Sequence, residues 1–156
     1  MDVDDFVFKR FRKQAPFSLL SLGELYLGRG LLFLKIKTKN IRFSLINTHL
    51  LWRHGETSEN GKVLKTQKAQ VEEIIRFAKA NGNYPIILGG DLNTLPGSSG
   101  IVNLKNKLDL NDYLADTSVT IDPANLNRGR LANLFGPGRP LRTDYLLFSP
   151  SIKVAE

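Results

Sequence analysis

Apolar and polar positions change period three times along this chain. Through residues 31–50 they alternate by twos, through 63–81 they recur every three to four residues, and at Ile86, Ile87 and Leu88 they merge into a short apolar run. These periods predict a hairpin, an amphipathic helix and a buried strand. In the hairpin, Leu32, Leu34 and Ile36 alternate with Phe33, Lys35 and Lys37, and Thr38-Lys39-Asn40 makes the turn. The second strand sets Ile41, Phe43 and Leu45 on one face and Arg42 and Ser44 on the other. It closes in Ile46-Asn47-Thr48-His49-Leu50, where polar groups enter the apolar pattern. Val71, Ile74, Ile75 and Ala78 form the buried stripe of the helix, Glu72 and Arg76 stand as an i,i+4 pair, and Asn81-Gly82 ends it.

The run at 86–88 is bounded by Pro85 and by Gly89-Gly90, and branched side chains suit a strand covered on both faces. Asp91 and Asn93 follow at once. Two residues apart on an extended chain, they point to the same side. After the turn 96–100, Ile101, Leu104 and Leu108 fit a short helix, and residues 109–141 show little periodicity. Residues 142–148 read as a final strand with Arg142, Asp144, Leu146 and Phe148 on one face. Residues 1–30 are the least periodic. Phe6, Phe8 and Phe11 are interleaved with Lys9, Arg10, Arg12 and Lys13, a mixture that suits an edge strand or a loop with inward rings better than a nucleic-acid surface.

Composition narrows the picture without deciding it. The 156 residues fit one domain (1–156) with a real core, and the order of elements points to an α/β layer. No stretch approaches the ~20 apolar residues of a spanning helix. Asp2, Asp4 and Asp5 stand where a secretory leader would be basic. The absence of cysteine excludes disulfides and thiolate metal sites, and leaves the compartment open. A net charge of +7 favours anionic partners such as nucleic acid, phosphorylated metabolites or acidic headgroups.

The polar residues at strand ends carry the candidate chemistry. Asn47-Thr48-His49-Leu50, Gly90-Asp91-Leu92-Asn93 and Arg142-Thr143-Asp144-Tyr145 resemble, in this order, the motif series of the endonuclease/exonuclease/phosphatase (deoxyribonuclease-I-like) superfamily. The resemblance spans about residues 30–150. It implies an α/β (α+β) sandwich with a mixed sheet and covering helices. It also implies hydrolysis of a phosphate ester with Mg²⁺ or Mn²⁺ as cofactor.

In that scheme Asp91 orients or deprotonates the attacking water. Asn93 holds that water or a phosphoryl oxygen, and both residues sit at the metal. His49 donates to the phosphate, and Asp144 holds a second histidine in its working tautomer. Asn47 and the arginine-rich segment with Arg128, Arg130, Arg139 and Arg142 face the substrate phosphate. Phosphoryl transfer asks for such positioning and positive charge rather than a protein nucleophile.

Two parts of the motif series are missing. The metal-binding glutamate of the family lies upstream of the hairpin, and Glu24 is too close to the hairpin to match it. The terminal Asp-His pair is not reached by Glu156. The expectation is therefore a partial domain, the C-terminal half of a sandwich, with one sheet face left for a partner or another copy. Two functional classes follow. One is a metal-dependent phosphodiesterase or phosphatase acting on nucleic acid, a phospholipid headgroup or a small phosphate ester. The other is an inactive fragment or pseudoenzyme that binds a polyanion or a protein partner. The first turns on whether the imidazole of His49 reaches the carboxylate of Asp91; the second is motivated by the absent glutamate and terminal histidine.

Overall fold

The computed structural model describes residues 2–15, 28–52, 61–114, 118–120 and 142–153. In chain order they form β1 (Asp2–Arg10), β2 (Gly30–Lys37), β3 (Arg42–Thr48), α1 (Lys62–Asn81), β4 (Ile86–Asp91), α2 (Ser99–Leu108), β5 (Asn111–Asp112) and β6 (Asp144–Phe148). The strands make a mixed six-stranded sheet in the order β1-β2-β3-β4-β6-β5. β3 and β4 are parallel, because the chain between them crosses over through α1; the other neighbours are antiparallel. No described helix is long and apolar enough to cross a membrane.

The core lies on one face of the sheet. Helix α1 lays Val71, Ile74, Ile75 and Ala78 over Leu31, Phe33, Ile46, Leu88 and Leu147, and α2 adds Ile101 and Leu104. Phe77 meets Phe33 edge to face, with centroids 5.4 Å apart. Ser98 starts α2 by accepting a hydrogen bond from the Ile101 N–H, which satisfies one of the helix's free donors.

The other face is also apolar. The strand register puts Phe6, Phe8, Leu34, Leu45, Leu146 and Phe148 there. Phe6 is 70% exposed, Phe8 65% and Leu146 40%. Neither described helix covers them. The alternation in β2 and β3 is therefore as expected, but the regular apolar set Leu32, Leu34, Phe43 and Leu45 faces away from the helices. The helix-covered set is Leu31, Phe33, Ser44, Ile46 and Thr48, which includes two polar residues. Period-two alternation fixes which residues share a face, but not which face the helices choose.

Three smaller expectations change. β1 is an edge strand, but Phe6 and Phe8 do not pack inward; only Phe11, just beyond it, is buried. The Glu72 carboxylate accepts from Asn103 Nδ2, and Arg76 Nε donates to the Glu72 carbonyl, so the helix pair is not an ion pair. Arg142 and Thr143 precede β6 rather than belong to it.

Gly90 is where the sheet leaves no room for a side chain. Its φ is +129°, and a Cβ would stand 2.0 Å from the Thr48 carbonyl oxygen on the neighbouring strand. Gly97 has φ +75° but open space around it. Gly97→Ala should thus cost only its left-handed backbone, about 1–2 kcal/mol. Gly90→Ala adds a backbone collision and should cost clearly more, as read by denaturant unfolding of both variants.

Candidate active site at the ends of the parallel strands

The parallel pairing brings the site together. Asn47 stands opposite Gly89 in register, so β3 and β4 end side by side. Beyond β3 the Leu50 N–H donates to the Asp91 carbonyl at 2.9 Å. That bond sets His49 beside Asp91, with Nε2 3.4 Å from Oδ2. On the other side of β4, Asp144 is the direct antiparallel partner of Asp91. Asn47, Asp91 and Asp144 all project from the open sheet face, at the end where His49 lies.

Asn93 is placed differently from the sequence expectation. The chain is not extended there: φ is +47°, the left-handed region that asparagine tolerates better than most residues. Its N–H donates back to Asp91 Oδ1 at 2.9 Å, closing an Asx turn. Its Nδ2 donates to the Leu50 carbonyl at 2.8 Å. Its Oδ1 is buried and has no hydrogen-bond partner among the described residues. A buried acceptor left open in this way is a place for a donor or a cation.

The Asp91 carboxyl is held above its ordinary value of 3.8. Burial is the largest cause; the neighbouring Asp144 charge pushes the same way. The Asn93 N–H, His49 and Thr143 pull it down in part. Asp144 accepts from Thr143 Oγ1 at 3.3 Å, and its N–H lies 3.2 Å from Thr120 Oγ1.

Arg142, expected to face substrate phosphate, is buried in this arrangement. Its side chain is 1% exposed, and its guanidinium pairs with Asp112 and donates to the Leu114 carbonyl. It also lies over the Tyr145 ring, 4.4 Å from the centroid. The guanidinium ties β5 to the start of β6, and so fixes Asp144 from behind. Arg128, Arg130 and Arg139 lie outside the described residues.

Two residues of the site were not singled out from the sequence. Gln67 Nε2 lies 3.0 Å from the Leu51 carbonyl, 3.3 Å from that of Leu92 and 3.0 Å from that of Asn93. Gln70 Oε1 accepts from the Leu51 N–H at 3.0 Å, and its Nε2 donates to the Lys13 carbonyl. A signal did exist: both glutamines occupy helix positions in line with Leu64, Val71 and Ile74, where apolar residues are expected.

Among the described residues, no group of three or more acidic or histidine side chains is placed to hold a metal ion. The Asp91 carboxylate and the buried Asn93 side-chain oxygen, two residues apart, are both hard donors. They suit one side of a Mg²⁺ ion, which keeps several waters and takes one or two carboxylates.

With fold and site in view, the sequence matches the Endonuclease/Exonuclease/phosphatase family over residues 12–156, and the chain belongs to that family. Among curated proteins, none matches it. Solved structures do. A double mutant of beta toxin from Staphylococcus aureus with bound magnesium ions superposes with TM-score 0.73 at 22% identity, over 99% of this chain and 52% of the toxin. Sphingomyelinase C from Streptomyces griseocarneus gives 0.71 at 16%, over 95% and 49%. The human Nocturnin catalytic domain with a bound sulfate anion gives 0.58 at 15%, over 96% and 48%. At these identities the likeness is one of fold, the deoxyribonuclease-I-like fold. The chain spans about half the length of each.

The raised Asp91 pKa has a stability consequence. Between 3.8 and its folded value the native state holds the proton more tightly than the unfolded chain, so stability falls as pH rises through that window. Above the window the cost of ionising Asp91 is fully present. Asp91→Asn should therefore raise the melting temperature at neutral pH, and the gain should vanish below the ordinary carboxylate range, as followed by thermal unfolding at both pH values.

Proposed function

We propose that this chain carries one half of the active site of a phosphodiester hydrolase, with Asp91 as the base and His49 as its charged or hydrogen-bonding companion. The observation that carries the reading is the 3.4 Å contact between His49 Nε2 and Asp91 Oδ2 beside Asp144. Family membership and the phosphodiesterase-type names among the structural neighbours support it.

In this mechanism a water molecule lies against the Asp91 carboxylate and attacks phosphorus. Its proton passes to Asp91, the ester P–O bond breaks, and the leaving oxygen takes a proton from solvent or from the imidazolium. A carboxyl with a raised pKa is the stronger base once ionised, which suits it to this step. His49 hydrogen-bonds a phosphoryl oxygen and lends it positive charge when protonated. The Asn93 oxygen holds the water or a cation at the same spot. Asp91 and Asn93 would hold Mg²⁺ or Mn²⁺ here, and the ion would supply positive charge for the phosphoryl oxygens. Substrate phosphate also suits the net charge of +7.

The open face bears on the same reading. Asn47, Asp91 and Asp144 stand on the face that carries the exposed Phe6, Phe8 and Leu146. Whatever covers that face also walls the site. We take the working cleft to lie between this sheet and a second layer, and expect activity of a protein that contains both.

Such a protein should hydrolyse bis(p-nitrophenyl) phosphate in the presence of Mg²⁺. Asp91→Ala should lower kcat by about 10²–10⁴-fold; unchanged turnover would remove Asp91 from the chemistry. The chain by itself should associate through its apolar face. Sedimentation should show a concentration-dependent rise in mass that Phe8→Lys with Leu146→Lys suppresses. A parent chain that stays monomeric at every concentration tested counts against the face as a docking surface.

A further inference from the structure

Helix α1 reaches into the site with two buried amides. Gln67 is 4% exposed and Gln70 is fully buried. Three residues apart, they share one side of the helix, and they hold the two polar ends of a single residue. The Leu51 N–H is bound by Gln70 and the Leu51 carbonyl by Gln67. The same Gln67 amide also faces the Leu92 and Asn93 carbonyls. Its two N–H bonds therefore serve three oxygens drawn from both site segments. Other links between those segments include the Leu50–Asp91 backbone bond, the Asn93 Nδ2–Leu50 bond and the His49–Asp91 contact. The Asn93 carbonyl belongs to a residue with left-handed backbone, a conformation that needs outside support.

We propose that Gln67 and Gln70 are positioning residues: a two-amide clamp on α1 that holds the His49 segment and the Asp91–Asn93 turn in the relation the reaction needs. The inference rests on the active-site reading above for its purpose. It rests on the hydrogen bonds alone for its existence. Neither glutamine touches substrate. Gln67 acts through the backbone of Leu92 and Asn93, and Gln70 through that of Leu51. Donor chemistry is essential at Gln67, because all three partners are acceptors.

Amide hydrogen exchange on the whole chain tests the clamp without reference to activity. In the parent, the Leu51 amide should exchange as slowly as the interior of α1, although it lies beyond the end of β3; fast exchange there overturns the proposal. In Gln67→Met, which keeps length and helix propensity but not the donor, the Leu50 and Asn93 amides should exchange about tenfold faster, as loss of a hydrogen bond implies. Ile46 and Leu88 should be unchanged. Gln67→Glu, closer to glutamine in shape but an acceptor, should be worse than Gln67→Met at neutral pH. A uniform change at all amides, or Glu better tolerated than Met, means packing alone and overturns the clamp.

Mn²⁺ affinity, read from paramagnetic broadening of the Asn93 amide, should weaken about 10–100-fold in Gln67→Met, as for other residues that orient metal ligands. Unchanged affinity beside a selective loss of protection overturns the positioning role. A parent that shows no Mn²⁺ broadening counts against the metal reading of Asp91 and Asn93, and leaves the exchange pattern to decide the clamp.

Discussion

The parallel pairing of β3 with β4 is the constraint from which the rest follows. Parallel neighbours end at the same edge of the sheet, so two segments separated by the whole of α1 finish side by side. The Leu50–Asp91 hydrogen bond continues that pairing past the last residue of β3. The approach of the two chains is close enough that position 90 cannot carry a Cβ. Glycine there is a condition of the site's geometry: it lets the Thr48 carbonyl lie against β4, and His49 and Asp91 emerge as neighbours. In α/β sheets, sites gather at the carboxyl ends of such strands for the same reason.

Most of the elements could be read from the sequence because each has one dominant period. The stripe Val71, Ile74, Ile75 and Ala78 and the run at Ile86–Leu88 correspond to α1 and β4, and Ser98 caps α2 from within the turn expected over 96–100. Less legible was the direction of the hairpin's faces. Leu31 and Phe33 share their face with Lys35, Arg42 and Ser44, so the polar residues of the alternation mark the face the helices cover rather than the open one. The site was legible as residue types at strand ends. Its backbone geometry was not: the left-handed Asn93 turn and the burial of Arg142 depend on partners far along the chain.

Arg142 shows how one letter can serve two structural ends. A motif of arginine, threonine, aspartate and tyrosine at a strand invites a phosphate-binding reading of the cation. Here the guanidinium pairs with Asp112, donates to the Leu114 carbonyl and lies over the Tyr145 ring. A buried ion pair of this kind contributes little net stability, since desolvation offsets most of the attraction. What it does fix is register: it joins the short β5 to the start of β6, while the Tyr145 hydroxyl donates to the Thr94 carbonyl beyond the Asn93 turn. The two anchors set Asp144 opposite Asp91 from both sides.

Two features of the domain oppose its own stability, and both lie on one sheet face. Asp91 stands partly buried beside another carboxylate, at a cost that grows with its ionisation. Next to it the sheet exposes phenylalanine and leucine to water. A sequence selected for the stability of this sheet alone would place polar residues at Phe6, Phe8 and Leu146 and a neutral residue at position 91. The apolar residues make sense against a covering layer, and the carboxylates make sense in the cleft such a layer would enclose. Hydrophobic closure and catalytic desolvation would then be one event, because the layer that removes water from the leucines also removes it from the carboxylates.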